Sequence, residues 1–208
     1  MVPNLSDWTV VMVGKWNPAI FSPDWVAHNL LHVENVEAQL AVGPLATNVR
    51  YQTEALLVIP QQDRLVIGAR NTEEATLLEM ERCSKTALEL LGHTPIRALG
   101  VNFGFIESEP PVDILKTFDL ADAGALSDAG YQVRATDIIR SIDIDSTILK
   151  LRMSLSDEGA VHFHFNFTSQ VATSQQAAEL LPGRVLDFRN KALDILRAVF
   201  NLQGEGVT

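Results

Sequence analysis

The chain has 208 residues, 47% hydrophobic and 20% charged, with a formal net charge of −10. A chain of this length and composition can bury a hydrophobic core without disulfides or metals. A disordered protein and a small protein held together by disulfides or metals are therefore excluded. The acidic balance repels phosphate backbones and anionic lipid surfaces, which disfavours nucleic-acid-binding and membrane-surface proteins.

In the first half, the pattern predicts a strand, a short helix, several strands and a long helix. A buried strand is expected over 8–13, and Pro23 is expected to open a helix capped by Ser22. A weak strand at 36–42 leads to the turn signal Gly43-Pro44, and strands at 51–59 and 64–69 flank a hairpin turn. Asn71 and Glu74 suggest a capping box for a helix that ends near residue 91.

In the second half, the same order of elements is predicted again. A strand is expected over 96–106, a short helix over 112–120 and a loop over 121–130. Three strands follow at 131–144, 147–155 and 160–168, with a turn at Asp145-Ser146 between the first two, and a final helix runs over 182–202. The polar tail 203–208 is expected to fray.

The repeated order predicts one α+β domain built from two units, residues 1–95 and 96–202, each a β-α-β-β-β-α repeat. The expected architecture is a pseudo-twofold, saddle-like antiparallel sheet with helices on one face. In topology it is similar to the duplicated saddle of TATA-binding proteins. That similarity is architectural, none of the family's sequence motifs is present, and the acidic charge argues against binding DNA.

Strand phases predict which face of the sheet stays open. Leu149, Leu151 and Met153 alternate with Lys150 and Arg152, so one set faces the helices and the other faces away. In the next strand, Phe163, Phe165 and Phe167 alternate in the same way with His162, His164 and Asn166.

A cationic face follows if the strand at 131–144 keeps one phase. Arg134 and Arg140 then lie beside Lys150, Arg152, His162 and His164, which suggests a site for an anionic ligand or an acidic protein segment. An ordinary solvated sheet face is the alternative. Adjacent Ile138 and Ile139 suggest a bulge that would move Arg140 off this face.

Other chemical signals are weaker. His162-x-His164 and His28-x-x-x-His32 have metal-ligand spacing but lack an evident third ligand, and Asp143-x-Asp145 is typical of a turn. Cys83 is the only cysteine, which excludes an intrachain disulfide and favours a buried, inert thiol. No cofactor-binding motif is present.

These patterns favour a non-catalytic interaction or assembly protein, although enzymatic activity stays open. Residues 55–59 are apolar on both faces, so we expect self-association or a protein partner to cover one of them. Trp16, in a predicted loop, is a further interface candidate. The alternative is a binding protein for a small anionic ligand. No leader-like or spanning segment is evident, so a cytoplasmic location is expected.

Overall fold

The computed structural model of the chain describes residues 1–42, 47–145 and 147–203. The strands are β1 (Val2–Gly14), β2 (Glu37–Val42), β3 (Thr47–Gln52), β4 (Leu56–Pro60), β5 (Arg64–Ala69), β6 (Ile96–Glu107), β7 (Thr136–Ile144), β8 (Thr147–Leu155) and β9 (Val161–Gln170). The α-helices are α1 (Pro23–Trp25), α2 (Glu74–Leu90), α3 (Val112–Leu115), α4 (Ala123–Asp128), α5 (Ser174–Leu180) and α6 (Arg184–Phe200). A π-helix (Val26–Leu31) and 3-10 turns (Pro18–Ile20, Lys116–Phe118) complete them.

The nine strands of the described residues form one antiparallel sheet in the order β2-β3-β4-β5-β1-β6-β9-β8-β7. The predicted α+β class and single antiparallel sheet are therefore confirmed. β1 and β6 lie side by side near the middle, and β2 and β7 form the two edges. The long strands of both halves thus meet along one central seam.

The core lies between one face of the sheet and the helices. Trp8, Val10 and Met12 on β1 are fully buried, and Phe103 on β6 and Phe165 on β9 continue the same layer. Helices α2, α5 and α6 pack over it. The phases predicted for β8 and β9 are confirmed, because their leucine and phenylalanine sets are buried and alternate with more exposed polar positions.

Several element boundaries differ from the sequence-based expectation. The strand expected over 51–59 is divided by a turn in which Leu56 donates its N–H to the Thr53 hydroxyl. Asn71 does not cap α2; its side chain accepts from the N–H of Glu73, which is itself the N-cap. The loop expected over 121–130 contains α4, and α5 was not predicted.

The N-terminal helix begins as predicted, with the Ser22 hydroxyl accepting from the N–H of Trp25. The Gly43-Pro44 turn, Ser146 and the tail from residue 204 lie outside the described residues. Within the described part of the chain, none of the helices has the length and apolar character that crossing a membrane requires.

Cys83 is fully buried on α2, where its thiol donates to the carbonyl of Leu30, 3.0 Å away, in the π-helix. Burial raises the pKa of this thiol to about 12, because the thiolate would lose its hydration. The thiol therefore stays protonated and inert at neutral pH, as predicted for a buried structural cysteine.

Candidate docking face

The face of the sheet that points away from the helices is called the open face here. Its centre is a row of paired positions that crosses the sheet in the order Leu57, Gly68, Thr9, Asn102, Asn166, Lys150 and Ser141. A neighbouring row runs Ile59, Val66, Val11, Gly100, Thr168, Ile148 and Asp143. The open face is thus apolar toward β4 and polar toward β8.

A hydrogen-bonded chain of polar side chains occupies its middle. The Thr168 hydroxyl donates to Asn166 Oδ1 (2.6 Å), Asn166 Nδ2 donates to Asn102 Oδ1 (2.5 Å), and Asn102 Nδ2 donates to Thr9 Oγ1 (2.9 Å). Asn102 is 93% buried, so these bonds replace the hydrogen bonds to water that its side-chain amide loses on burial. The chain of bonds fixes the side-chain positions across three strands.

Next to these hydrogen-bonded side chains, β1 carries an irregular segment that folds over the sheet. Asn4 pairs with Gly104 whereas Thr9 pairs with Asn102, so the intervening β1 residues bulge out of the ladder. Asp7 from this bulge lies directly over Gly104 and accepts from Asn4 Nδ2 (2.9 Å). His164 Nδ1 lies 3.5 Å from Asp7 Oδ2. The bulge therefore brings a carboxylate to a predicted binding histidine.

The two cations of β8 have different surroundings. Arg152 forms an ion pair with Asp137 on β7 (2.6 Å), and Ser154 donates to the same carboxylate. The hydrogen bond from Arg152 lowers the pKa of Asp137, and the carboxylate in turn raises the pKa of Arg152. Lys150 is exposed, with no ion pair within the described residues.

Two predicted members of the cationic face lie elsewhere. Arg140 pairs with Leu151, so its position belongs to the helix side of the sheet, and the predicted phase was wrong by one residue. The β7–β8 register is continuous, so no bulge is involved. Arg134 lies before β7, which begins only at Thr136, and is exposed in an irregular segment.

Trp16, which the sequence suggested as an interface candidate, is buried. Only 5% of its surface is accessible, and its indole N–H donates to the carbonyl of Met12 (2.9 Å). Its ring meets Phe21 edge-on, with centroids 6.1 Å apart. Trp16 is thus part of the core and does not belong to the open face.

Counted over the described strands and the β1 bulge, the open face is balanced in charge. It carries four cations, Arg50, Arg64, Lys150 and Arg152, and four carboxylates, Asp7, Glu37, Asp137 and Asp143. The chain as a whole has 16 basic and 26 acidic residues. The acidic excess therefore lies away from this face.

Sequence reasoning missed the carboxylates Asp7 and Asp137, which balance this face. The polar segment Asn4-Leu5-Ser6-Asp7 ahead of an apolar strand was the available signal for a bulge. Asp137 could be placed beside Arg152 only once the strand register was known.

Two clefts of the described structure lie off the open face. One of about 390 Å³ is at the end of the sheet, between Gly14, Lys15, Asp63 and Arg97. Another of about 600 Å³ lies between α2 and α5, lined by Lys85, Glu89, His93 and Glu179 among others. Neither cleft is lined by a residue of the predicted anionic-ligand site, Lys150, Arg152, His162 or His164.

Among the described residues, no group of three or more His, Cys, Asp or Glu side chains is arranged to hold a metal ion. His28 and His32 are exposed, and the Nδ1 of His28 is 2.8 Å from the carbonyl of Asp24. Comparison with protein-family models found no match, and comparison with curated proteins found none either.

Proposed function

We propose that the protein is a non-catalytic assembly protein that binds a second copy of itself through the open face. The observation that carries this proposal is the charge balance of that face on a chain of net charge −10. Two acidic molecules repel each other in most orientations, but two balanced faces approach without net repulsion. Opposite charges on the two copies then attract where they face each other.

Apolar side chains on the same face support the proposal. Val11, Leu57, Ile59 and Val66 form a continuous, partly exposed group on β1, β4 and β5. On β7 and β8, Ile139 and Ile148 are 62% and 43% exposed. Such side chains gain free energy when a second surface removes them from water.

The open face is also large enough. Strands lie about 4.8 Å apart and rise about 3.3 Å per residue, so nine strands with about six residues each cover roughly 800 Å². A standard stable interface buries about 800 Å² on each partner. A broad, charge-balanced face of this size suits a protein surface better than a small molecule.

The test is the combined variant Lys150→Glu with Arg152→Glu. It changes the open face from four charges of each sign to two cations and six carboxylates. Two such faces repel each other, so we expect the dissociation constant for self-association to rise at least about 100-fold, because opposed like charges cost several kcal/mol. Sedimentation equilibrium and native mass spectrometry measure it against the 22.9 kDa chain.

The matched control is Lys85→Glu with Arg197→Glu, which makes the same charge change on α2 and α6. Both side chains are ion-paired on helices, as Arg152 is on the sheet. We expect this control to associate like the wild-type chain. Equal association of both double variants, or a wild-type chain that stays at 22.9 kDa at all concentrations, would refute the open face as an interface. A reproducible small-molecule adduct on a monomer would favour the ligand alternative.

We further infer that the two halves are duplicated units related by a pseudo-twofold axis. The support is the sheet order, in which each half places its first strand at the centre and its next strand at the edge. Each half also ends in helices that pack together over the seam. A saddle of two like units would present two similar surfaces to a second copy.

A further inference from the structure

The edge strand β7 is exposed along most of its length. It is the outermost strand at one end of the sheet, and Ile139 on the open face is 62% exposed. Ile142, on the helix side, is 36% exposed, and Arg140 beside it is exposed as well. The helices therefore leave both faces of this strand incompletely covered.

Exposed apolar side chains lie on this edge strand and on its neighbour. Ile139 and Ile142 on β7 are 62% and 36% exposed, and Ile148 on β8 is 43% exposed. Tyr131 and Val133, in the segment that leads into β7, are 68% and 48% exposed. Apolar exposure on a free strand edge is typical of an association surface.

We propose that β7 pairs antiparallel with β7 of a second copy, about a twofold axis that passes through Ile139. The two sheets then join edge to edge, and the free N–H and C=O groups of both strands are satisfied. An antiparallel pair of identical strands closes on itself, so this contact gives a discrete dimer.

The charges and the exposed isoleucines of β7 together select the register. With Ile139 opposite its own copy, Asp137 faces Ser141 and Ile138 faces Arg140, so no like charges oppose each other. A shift that centres the axis on Arg140 sets Arg140 against Arg140 and Asp137 against Asp143. An axis at Ile138 or Ile142 opposes no like charges either, but Ile139 is the most exposed isoleucine of the strand at 62%, so pairing it with its own copy removes the most apolar surface from water.

This contact is separate from the pairing proposed for the open face. β7 associates through its edge, whereas the open face associates through the side chains above the sheet plane. Two different twofold contacts on one chain produce either a closed tetramer or an extended assembly. Failure of one contact leaves a dimer through the other, so the two proposals fail independently.

The test is Ile139→Cys under a mild added oxidant. In the proposed register, the two introduced side chains have Cβ atoms about 4.5–5.5 Å apart, close enough for a disulfide after a small adjustment. The native Cys83 is fully buried, and its thiol pKa is raised to about 12, so it does not compete. We expect a covalent dimer of twice 22.9 kDa on a non-reducing gel.

Leu40→Cys is the matched control, because Leu40 is 68% exposed on β2, the opposite edge strand. We expect at least about a tenfold lower yield of dimer from this variant, since only thiols held a few Å apart combine readily. Asp137→Cys, whose partner in this register is Ser141, should also fail to cross-link to itself. Equal yields from Ile139→Cys and either control would mean random collision and would overturn the proposal, as would no dimer from Ile139→Cys.

Ile139 also faces the open side, so the cross-link is repeated together with Arg50→Glu and Arg64→Glu, which make the same charge change on the open face at β3 and β5, away from β7. Persistence of the covalent dimer in that background supports edge pairing even if the open-face contact is lost. Disappearance of the dimer there would assign the cross-link to the open face and would overturn pairing through β7.

Discussion

Arg189 lies on α6 with only 8% of its surface exposed. Its Nε and Nη2 atoms donate to the side-chain oxygen of the neighbouring Asn190, at 3.1 and 3.0 Å. Its buried Nη1 has no hydrogen-bond partner among the described residues. A desolvated guanidinium with an unused donor is an energetic cost within an otherwise apolar helix face.

Replacing Arg189 by methionine should therefore stabilise the fold. Methionine keeps an unbranched apolar stem and has no donor to satisfy, so we expect the free energy of unfolding to rise by about 1–2 kcal/mol. Urea denaturation measures the change. Arg184→Met is the control on the same helix, because the Arg184 guanidinium lies over the Phe188 ring, 5.6 Å from its centre, and is less buried. A loss of stability in Arg189→Met would contradict a net cost from the unpaired Nη1, because the bonds to Asn190 would then outweigh it.

Among single elements, the β1 bulge depends on a glycine of the neighbouring strand. A Cβ atom placed on Gly104 would lie 2.5 Å from Asp7 Oδ2 and 2.6 Å from Asp7 Cβ, too close for either atom. The bulge would have to shift, and with it the contact between Asp7 and His164. Because Gly104 has no side chain, it leaves room for Asp7 and the β1 bulge on the open face.

We expect Gly104→Ala to lower the free energy of unfolding by about 1–3 kcal/mol, as overpacking does elsewhere. Adding Asp7→Gly removes the clashing side chain. The free energy of unfolding of the double variant should therefore fall by less than the sum of the decreases in the two single variants. Gly100→Ala is the control on the same strand, because its nearest neighbour would be Asn166 Nδ2 at an ordinary 3.5 Å. Strict additivity of the two changes in thermal denaturation would contradict the contact.

The sequence predicted elements best where alternation was strict. β8 and β9 alternate without interruption, so their buried faces followed directly from the order of residues. In β7, the adjacent Ile138 and Ile139 interrupt the alternation of apolar and polar residues. The sequence therefore did not show which residues of β7 face the helices, and Arg140 was assigned to the wrong face. The burial of Trp16 depends on Phe21 and the Met12 carbonyl, contacts that no local pattern encodes.

At the scale of the whole molecule, the two halves share one core. β1 pairs with β6 along most of its length, and Trp8 meets Phe103 and Phe105 with ring centroids 5.2 and 5.7 Å apart. The first-half helix α2 packs against the second-half helices α5 and α6, and Glu81 accepts from the N–H groups of Gly183 and Val185. These contacts predict one cooperative unfolding unit despite the two repeats suggested by the sequence.

The chain itself offers a test of that cooperativity. Trp8, Trp16 and Trp25 all belong to the first half, so tryptophan fluorescence follows that half while far-ultraviolet circular dichroism follows both. Phe165→Ala removes a fully buried ring from β9 in the second half and should cost about 3–5 kcal/mol. If the halves unfold together, the denaturant midpoints from both signals fall by the same amount. Ile67→Ala, a fully buried change in the first half, should also shift both signals together. A fluorescence midpoint that stays in place while the dichroism midpoint of Phe165→Ala falls would show two independent units, because the seam between β1 and β6 would then transmit no stability.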